Sequence, residues 1–478
     1  MITLERVSYK YPHTGRCALD EISLKIEKGA CTLITGPSGA GKSTVCLAIA
    51  GILHHEYGGK KGGSVLINGK DVKDYKDLGE LAANVGIVFD DPEAQLIFTS
   101  VEEEIISALE HRDLSEDEIG KRLESILEKT NLTNIRERPP HELSGGQKQR
   151  VALAATLALG NDLIILDEPT SELDEHATDG IFEVLKVLKK EGRTIVLVEH
   201  KFNRFQELAD TVVLLEKGKV IAHDEPEKIL KDKSVHDALI PDFSSFRLKG
   251  VNLHRDRKPV IIIESLTHNY GEIPALAGVD ITIDNGEFIA IVGENGSGKT
   301  TLIKHLIGLL RPDKGRIVID GEDIEKKKVT DIAHSVGLVF QNPDHMFFAD
   351  TVELEVEFGP KNLNLPLYKN LVDEALREVN LLHAKDLYPR WLSRGERQRL
   401  AIACVLAMKP KILIFDEPTT GLDGNEAKEV MEVLKRLQEE GHTIIIVTHN
   451  RQIATNCADR LVLMESGKII EDISLLED

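Results

Sequence analysis

Few cysteines, no long apolar run and no surplus of basic charge mark this sequence. Its five cysteines (Cys17, Cys31, Cys46, Cys404 and Cys457) are odd in number, scattered and never spaced as CxxC. That excludes a disulfide framework and a cysteine-rich zinc or iron–sulfur site, and it suits a reducing compartment. The longest apolar runs are only a few residues, such as Val260–Ile263 and Ile444–Val447, whereas a membrane span needs about 20. No bilayer-crossing helix is expected. Residues Met1–Arg6 lack the basic and then apolar regions of a signal peptide. The 59 Lys and Arg against 80 Asp and Glu leave a net charge of −21, which would repel a phosphate backbone, so no nucleic-acid partner is expected. What is present is ordinary for a globular chain: 41% hydrophobic and 29% charged residues. A length of 478 residues exceeds the roughly 250–300 at which a single core stops growing.

A long internal repeat dominates the rest. Gly36, Pro37, Ser38, Gly39, Ala40, Gly41, Lys42 and Ser43 recur 257 residues on as Gly293, Glu294, Asn295, Gly296, Ser297, Gly298, Lys299 and Thr300. Leu143–Gln147 recurs as Leu392–Glu396, Asp167–Thr170 as Asp416–Thr419, and His200 as His449, each 249 residues on. The eight residues of difference lie between the first two motifs of the first copy; a loop absorbs such an insertion cheaply. A period this long means duplicated domains and not a solenoid. The expected organisation is a domain over 1–241, a linker over 242–258 rich in Lys, Arg and Ser, and a second domain over 259–478.

Within each half, short apolar runs alternate with amphipathic stretches, which predicts a parallel sheet with helices packed on it. Thr32–Thr35, Leu163–Leu166 and Ile195–Val198, with Phe288–Val292, Ile412–Phe415 and Ile444–Val447, are apolar enough for strands buried on both faces. The motifs follow these strand ends, where open α/β sheets bind ligands.

GxxxxGK[ST] after an apolar strand and before a helix is a phosphate-binding loop. Its glycines let the backbone fold around phosphates, and peptide N–H groups with the helix N-terminus supply positive potential. Lys42 and Lys299 would reach the β- and γ-phosphates of a nucleoside triphosphate, and the Ser43 and Thr300 hydroxyls would ligate Mg²⁺. Helices are expected over Thr44–Ile49 and Thr301–Leu306. Average residue usage gives on the order of 0.02 chance matches in such a chain, so two in matching contexts identify nucleotide-binding loops. Asp167 and Asp416 end apolar strands, where a carboxylate can hold the Mg²⁺ that bridges the phosphates. The adjacent Glu168 and Glu417 are placed to polarise an attacking water, so hydrolysis is expected.

Leu143–Gln147 begins a helical stretch over Lys148–Leu159. Ser144 alone would read as an N-cap, but between a phosphate loop and an Asp-Glu pair it resembles the signature of ATP-binding-cassette (ABC) ATPases. The resemblance spans nearly the whole chain, twice, and takes in Tyr11 and Tyr270, the Ser171–Asp174 and Thr420–Asp423 loops, and the late histidines. It implies two P-loop ABC cassettes of α/β class, each a RecA-like parallel sheet with an antiparallel β subdomain and a helical subdomain. It further implies that two cassettes pack head to tail with ATP and Mg²⁺ between them. One site would join Gly36–Ser43, Thr44, Tyr11, Asp167, Glu168 and His200 to Ser393 and Gly395. The other would join Gly293–Thr300, Thr301, Tyr270, Gln341, Asp416, Glu417 and His449 to Ser144, Gly145 and Gly146. The tyrosines would stack on adenine and the histidines would contact the γ-phosphate.

Between phosphate loop and signature, Val339–Phe348 contains Phe-Gln-Asn-Pro-Asp and an apolar cluster, followed by Thr351-Val-Glu. This is similar to the ATPases of energy-coupling factor (ECF) importers, which take up vitamins or cobalt and nickel ions. The similarity implies a peripheral place on the cytoplasmic face of a membrane. Leu96–Phe98 and Met346–Phe348 would receive coupling helices of integral membrane subunits. Ribosome-acting tandem cassettes usually carry a long basic helical linker, and fused sugar-importer ATPases differing signatures in each half; these are the alternatives. Where the second copy has Gln341 the first has Asp90, shorter and anionic yet still able to bind metal. Arg394 replaces a signature glycine facing the same first site, which is therefore expected to turn over slowly beside a brisk second one.

Overall fold

The computed structural model describes residues 1–12, 17–110, 114–171, 173, 175–199, 202–231, 243, 246 and 258–475. The chain divides into two compact units, Met1–Ile240 and Pro241–Asp478. Of the expected linker, only Phe243, Phe246 and Lys258 are described. Phe243 is buried in the core of the second unit with Phe246 packed beside it.

In the first unit the strands are β1 (Ile2–Lys10), β2 (Leu19–Ile26), β3 (Cys31–Thr35), β4 (Lys60–Ile67), β5 (Lys70–Asp71), β6 (Val85–Val88), β7 (Leu163–Asp167), β8 (Thr194–Val198), β9 (Thr211–Glu216) and β10 (Lys219–Asp224). They form two sheets. One is antiparallel in the order β2-β1-β4-β5, and the other runs β10-β9-β3-β8-β7-β6. The second is parallel except where β10 pairs antiparallel at its edge. Along β1, Ile2, Leu4, Val7 and Tyr9 turn one face into the core. By contrast β3, β7 and β8 are buried at every position, as central strands covered on both faces must be. Each such Ile, Leu or Val side chain contributes roughly 1.5–3 kcal/mol on leaving water. Of the helices, α1 (Lys42–Ile49) follows β3, and α2 (Val101–Glu110), α3 (Glu116–Lys129) and α4 (Gly145–Ala158) gather around Ile105, Leu127 and Val151 as a separate helical cluster. Helix α5 (Glu175–Lys190) follows β7.

The second unit repeats this plan with β11 (Pro259–Tyr270), β12 (Ile273–Asp284), β13 (Phe288–Val292), β14 (Lys314–Ile319), β15 (Glu322–Asp323), β16 (Val336–Val339), β17 (Ile412–Asp416), β18 (Thr443–Val447), β19 (Arg460–Glu465) and β20 (Lys468–Ser474). The antiparallel sheet is β12-β11-β14-β15 and the central one β16-β17-β18-β13-β19-β20. Its helices α6 (Lys299–Leu306), α7 (Val352–Asn362), α8 (Tyr368–Glu378), α9 (Arg394–Leu406) and α10 (Gly424–Glu439) occupy the matching places. The expected α/β architecture, with an antiparallel β subdomain and a helical subdomain, is present in both units. Helices α1, α6 and α4 begin two to three residues earlier than their apolar patterns predict. Lys42 and Lys299 open their helices directly, and the signature glycines already lie inside α4. No helix among the described residues is long and apolar enough to cross a membrane.

Candidate active site

Both phosphate-binding loops leave a fully buried strand and tighten around their own lysine. At Gly36 the backbone has φ +144°, and an added Cβ would lie 2.1 Å from the Leu215 carbonyl oxygen of β9. At Gly293, φ is +156° and the clash would be with Met464 O of β19 at 2.3 Å. Only glycine lets the neighbouring strand approach so closely. Lys42 Nζ donates to the carbonyls of Gly36 and Pro37, both at 3.1 Å, and stands 3.8 Å from the Glu168 carboxylate. Lys299 Nζ donates to the carbonyls of Gly293 and Glu294, both at 2.8 Å. Each ammonium is thus buried yet partnered, at the mouth of a helix whose free N–H groups favour an anion. Gly39 and Glu294–Gly296 lie exposed at the loop rims, whereas Ala40, Ser297 and Gly298 are buried.

The next residue of each helix meets the strand-end aspartate. Ser43 Oγ donates to Asp167 at 3.1 Å, and Thr300 Oγ1 to Asp416 at 3.4 Å. Burial, followed by the charge of the adjacent glutamate, pushes the Asp167 carboxyl up to about 7 and Asp416 up to about 6. Asp90 adds to the shift at Asp167. A hydroxyl and a carboxylate are the hard oxygen donors that Mg²⁺ takes, and the crowding of negative charge is what a divalent ion would offset. The residues present therefore fit the ion. Both Asp90 and Gln341 are exposed, one residue past the Phe that follows β6 or β16.

Glu168 and Glu417 hold left-handed backbone, φ +48° and +50°, while their amides reach across to Val198 O and Val447 O. Such conformations in non-glycine residues cost of the order of 1–3 kcal/mol and cluster where function over-determines the backbone. The Glu417 carboxylate accepts from Thr420 Oγ1 at 3.3 Å and lies 2.9 Å from His449 Nδ1. The structure so brings together Thr300, Asp416, Glu417 and His449 in one unit, and Lys42, Ser43, Asp167 and Glu168 in the other. His200, Glu172 and Asp174 lie outside the described residues. Tyr11 is half-buried, its hydroxyl 3.4 Å from Thr44 Oγ1 and its ring edge-on to Tyr9 at 4.8 Å. Tyr270 is placed differently: 49% exposed and edge-on to His268 at 5.0 Å.

Ser144 and Ser393 cap α4 and α9, each in a capping box with the residue three on, Gln147 and Glu396. Ser144 and Gly145 are exposed and Gly146 is buried. Ser393 is half-buried and Gly395 buried, and both donate to the Glu426 carboxylate.

Three further acids lie outside the motifs. Glu199 is 1% exposed and accepts from both the amide and the hydroxyl of Thr170, at 3.0 and 2.7 Å. The signal was a Glu where the second copy has Thr448. Glu104 accepts from the amides of Ile97 and Phe98, at 3.0 and 2.8 Å, and Glu355 from those of Phe348 and Ala349, at 2.9 and 2.7 Å. Both acids are buried, and desolvation raises the Glu355 carboxyl. An acid repeated at one place on the apolar face of both helices was legible as a signal.

Two phosphate loops, each followed by strand-end Asp-Glu, define a pair of nucleoside triphosphatase modules. The ABC transporter family model matches residues 19–171 and 276–420. An ATP-binding protein assigned to ABC transporters in Methanosarcina mazei is 49% identical over 99% of this chain and 95% of its own length. Another, from Caldanaerobacter subterraneus subsp. tengcongensis, is 36% identical over 98% of this chain and 90% of its own. Among solved structures, cbiO1 from Clostridium perfringens, part of the ABC transporter complex cbiONQ, is 39% identical, covering 46% of this chain and 90% of its own, with a TM-score of 0.44. The chain belongs to the ABC transporter family, as a tandem of two ATP-binding, ATP-hydrolysing cassettes.

Proposed function

We propose that this chain is the ATP-hydrolysing, energy-coupling component of an ECF-type importer that takes up a vitamin or a transition-metal ion. Its cassettes, 1–241 and 259–478 joined by 242–258, pair head to tail and clasp one ATP at each of two shared sites. The first site unites Gly36–Ser43, Thr44, Tyr11, Asp167, Glu168 and His200 with Ser393 and Gly395. The second unites Gly293–Thr300, Thr301, Tyr270, Gln341, Asp416, Glu417 and His449 with Ser144, Gly145 and Gly146. Lys42 and Lys299 hold the β- and γ-phosphates. Glu417 accepts a proton as water adds to the γ-phosphorus and the bridging oxygen leaves with ADP; Glu168 has that place in the first site. Ser43 with Asp167 and Asp90, and Thr300 with Asp416 and Gln341, would hold Mg²⁺, which when bound offsets the charge gathering on the phosphate oxygens. Phosphate release lets the cassettes part, and membrane subunits follow that motion. The chain thus works from the cytoplasmic face of the membrane, with no nucleic-acid partner.

One observation carries this reading. In each unit, past Asp90 or Gln341, buried Glu104 or Glu355 pins backbone amides. Ile97, Phe98 and Phe348 are held out in water, while Leu96, Met346 and Phe347 of the expected clusters pack into the core. Ile97 is 78% exposed with Phe98 beside it, and Phe348 is 65% exposed, edge-on to Phe358 at 4.6 Å. Exposed apolar groups on a fixed backbone are a receptor for an apolar helix. The chain purified from solubilised membranes is expected to carry an integral membrane protein and that complex's bound small molecule. Ile97→Asp combined with Phe348→Asp is expected to shed both while ATP binding persists. Recovery with ribosomes instead, unchanged by these substitutions, would overturn the reading.

A further inference from the structure

The two signatures differ in what already sits on them. In the second unit, Glu426 lies in the first turn of α10, its amide bonded to the N-capping Asp423 carboxylate at 2.8 Å. Its own side chain turns away to the N-terminus of α9. There one carboxylate oxygen accepts from Ser393 Oγ and from the Gly395 amide, both at 3.2 Å. One anion is thus shared by the positive poles of two helices, where a negative charge is favoured. The approach is tight: a Cβ on Gly395 would lie 2.5 Å from the Glu426 carboxyl carbon. Beside it the Arg394 guanidinium is pressed onto Gly421, where a Cβ would lie 2.3 Å away. In the first unit, by the spacing of the repeat, Ala177 stands where Glu426 does, and a Cβ on Gly146 would meet the Ala177 methyl at 2.5 Å, with the Leu173 side chain at 3.9 Å.

We infer that Glu426 is a built-in anion that occupies the second signature and must be displaced before that signature can grip the γ-phosphate held by the first phosphate loop. The inference rests on the head-to-tail reading above. The Ser393 hydroxyl and the Gly395 amide are the groups the γ-phosphate would use, and two anions cannot share them: the carboxylate repels the phosphate and takes its donors. Among the described residues, the atoms nearest Gly146 of the first signature are the apolar ones of Ala177 and Leu173. Glu426 is thereby a positioning residue that sets the ATP concentration at which the first site closes, and it makes the first site the slower one by a mechanism separate from Asp90.

The test uses the full chain in a Glu417→Gln background, where remaining turnover reports the first site. Glu426→Ala, which frees the Ser393 hydroxyl and the Gly395 amide, is expected to lower the KM for ATP about tenfold, the equivalent of about 1.4 kcal/mol. Glu426→Gln, which keeps an acceptor but no charge, is expected to lower it about threefold. A purely structural acid would instead lower thermal stability and leave KM where it was. An unchanged or raised KM in both variants, with the fold intact by circular dichroism, overturns the inference. A separate control distinguishes failure of the underlying reading. Ser144→Arg in a Glu168→Gln background is expected to stop hydrolysis at the second phosphate loop. If it does not, the head-to-tail arrangement fails; if it does while KM ignores Glu426, the arrangement stands and the role of Glu426 falls.

Discussion

In single-turnover hydrolysis, Glu417→Gln is expected to abolish the fast phase, lowering its rate by at least about a hundredfold, the lower end of what a positioned general base contributes. Glutamine keeps the size of the side chain and can still accept from Thr420 Oγ1, 3.3 Å away in the native protein. What it cannot do is take a proton from water. Lys299 and its loop are untouched, so ATP binding at that site should persist. Glu168→Gln is expected to leave the fast phase in place and remove a slow one. Under the proposed head-to-tail pairing, the slow phase is expected at the first site on three grounds: Asp90 in place of glutamine, Arg394 in the signature proposed to face it, and Glu426 on that signature's donors. Equal losses from the two substitutions would remove the inequality, and a fast phase that survives Glu417→Gln would remove the glutamate from the chemistry.

Much of this was legible in the chain because the relevant physics is local. An apolar strand, a glycine turn and a lysine opening a helix lie within fifteen residues of one another, so the motif carries its own context. The helices start two or three residues ahead of their apolar patterns for a local reason as well. Lys42, Ser43, Gly145 and Gly146 are polar or small, and their helical state comes from the phosphate loop and the Ser144 cap, not from apolar periodicity. What could not be read from the chain were contacts between segments far apart in sequence. Glu426 reaches Ser393 over 33 residues, and Glu199 reaches Thr170 over 29. Nothing in their local pattern says that an acid turns inward. Tyr270 illustrates the same limit from the other side. It matches Tyr11 in the repeat, yet its neighbour two residues back is His268 and not Tyr9, and the two rings rest against different partners.

Gly293→Ala is expected to disrupt the second phosphate loop, and Gly296→Ala to be tolerated far better, although both glycines have positive φ. The difference lies in what the new methyl meets. At Gly293 it would enter at φ +156° and lie 2.3 Å from Met464 O and 2.7 Å from Ser297 Oγ. The carbonyl belongs to β19, whose residues Arg460–Leu463 pair with β13 and whose Met464 pairs with Ile469 of β20, and it cannot withdraw without disturbing that pairing. Strained backbone of this kind costs about 1–3 kcal/mol before any clash is counted, so a loss of about 3 kcal/mol or more is expected. At Gly296, φ is +82° and nothing lies within 4 Å of the added carbon, which leaves only the left-handed penalty of roughly 1–2 kcal/mol. Native-state hydrogen exchange at β13 and β19 reads both variants directly. Protection there should collapse in Gly293→Ala together with ATP binding at that loop, and change little in Gly296→Ala. Equal protection in the two would mean that the approach of Met464 is not what reserves position 293 for glycine, and that the loop can form its phosphate cradle with β19 held further away.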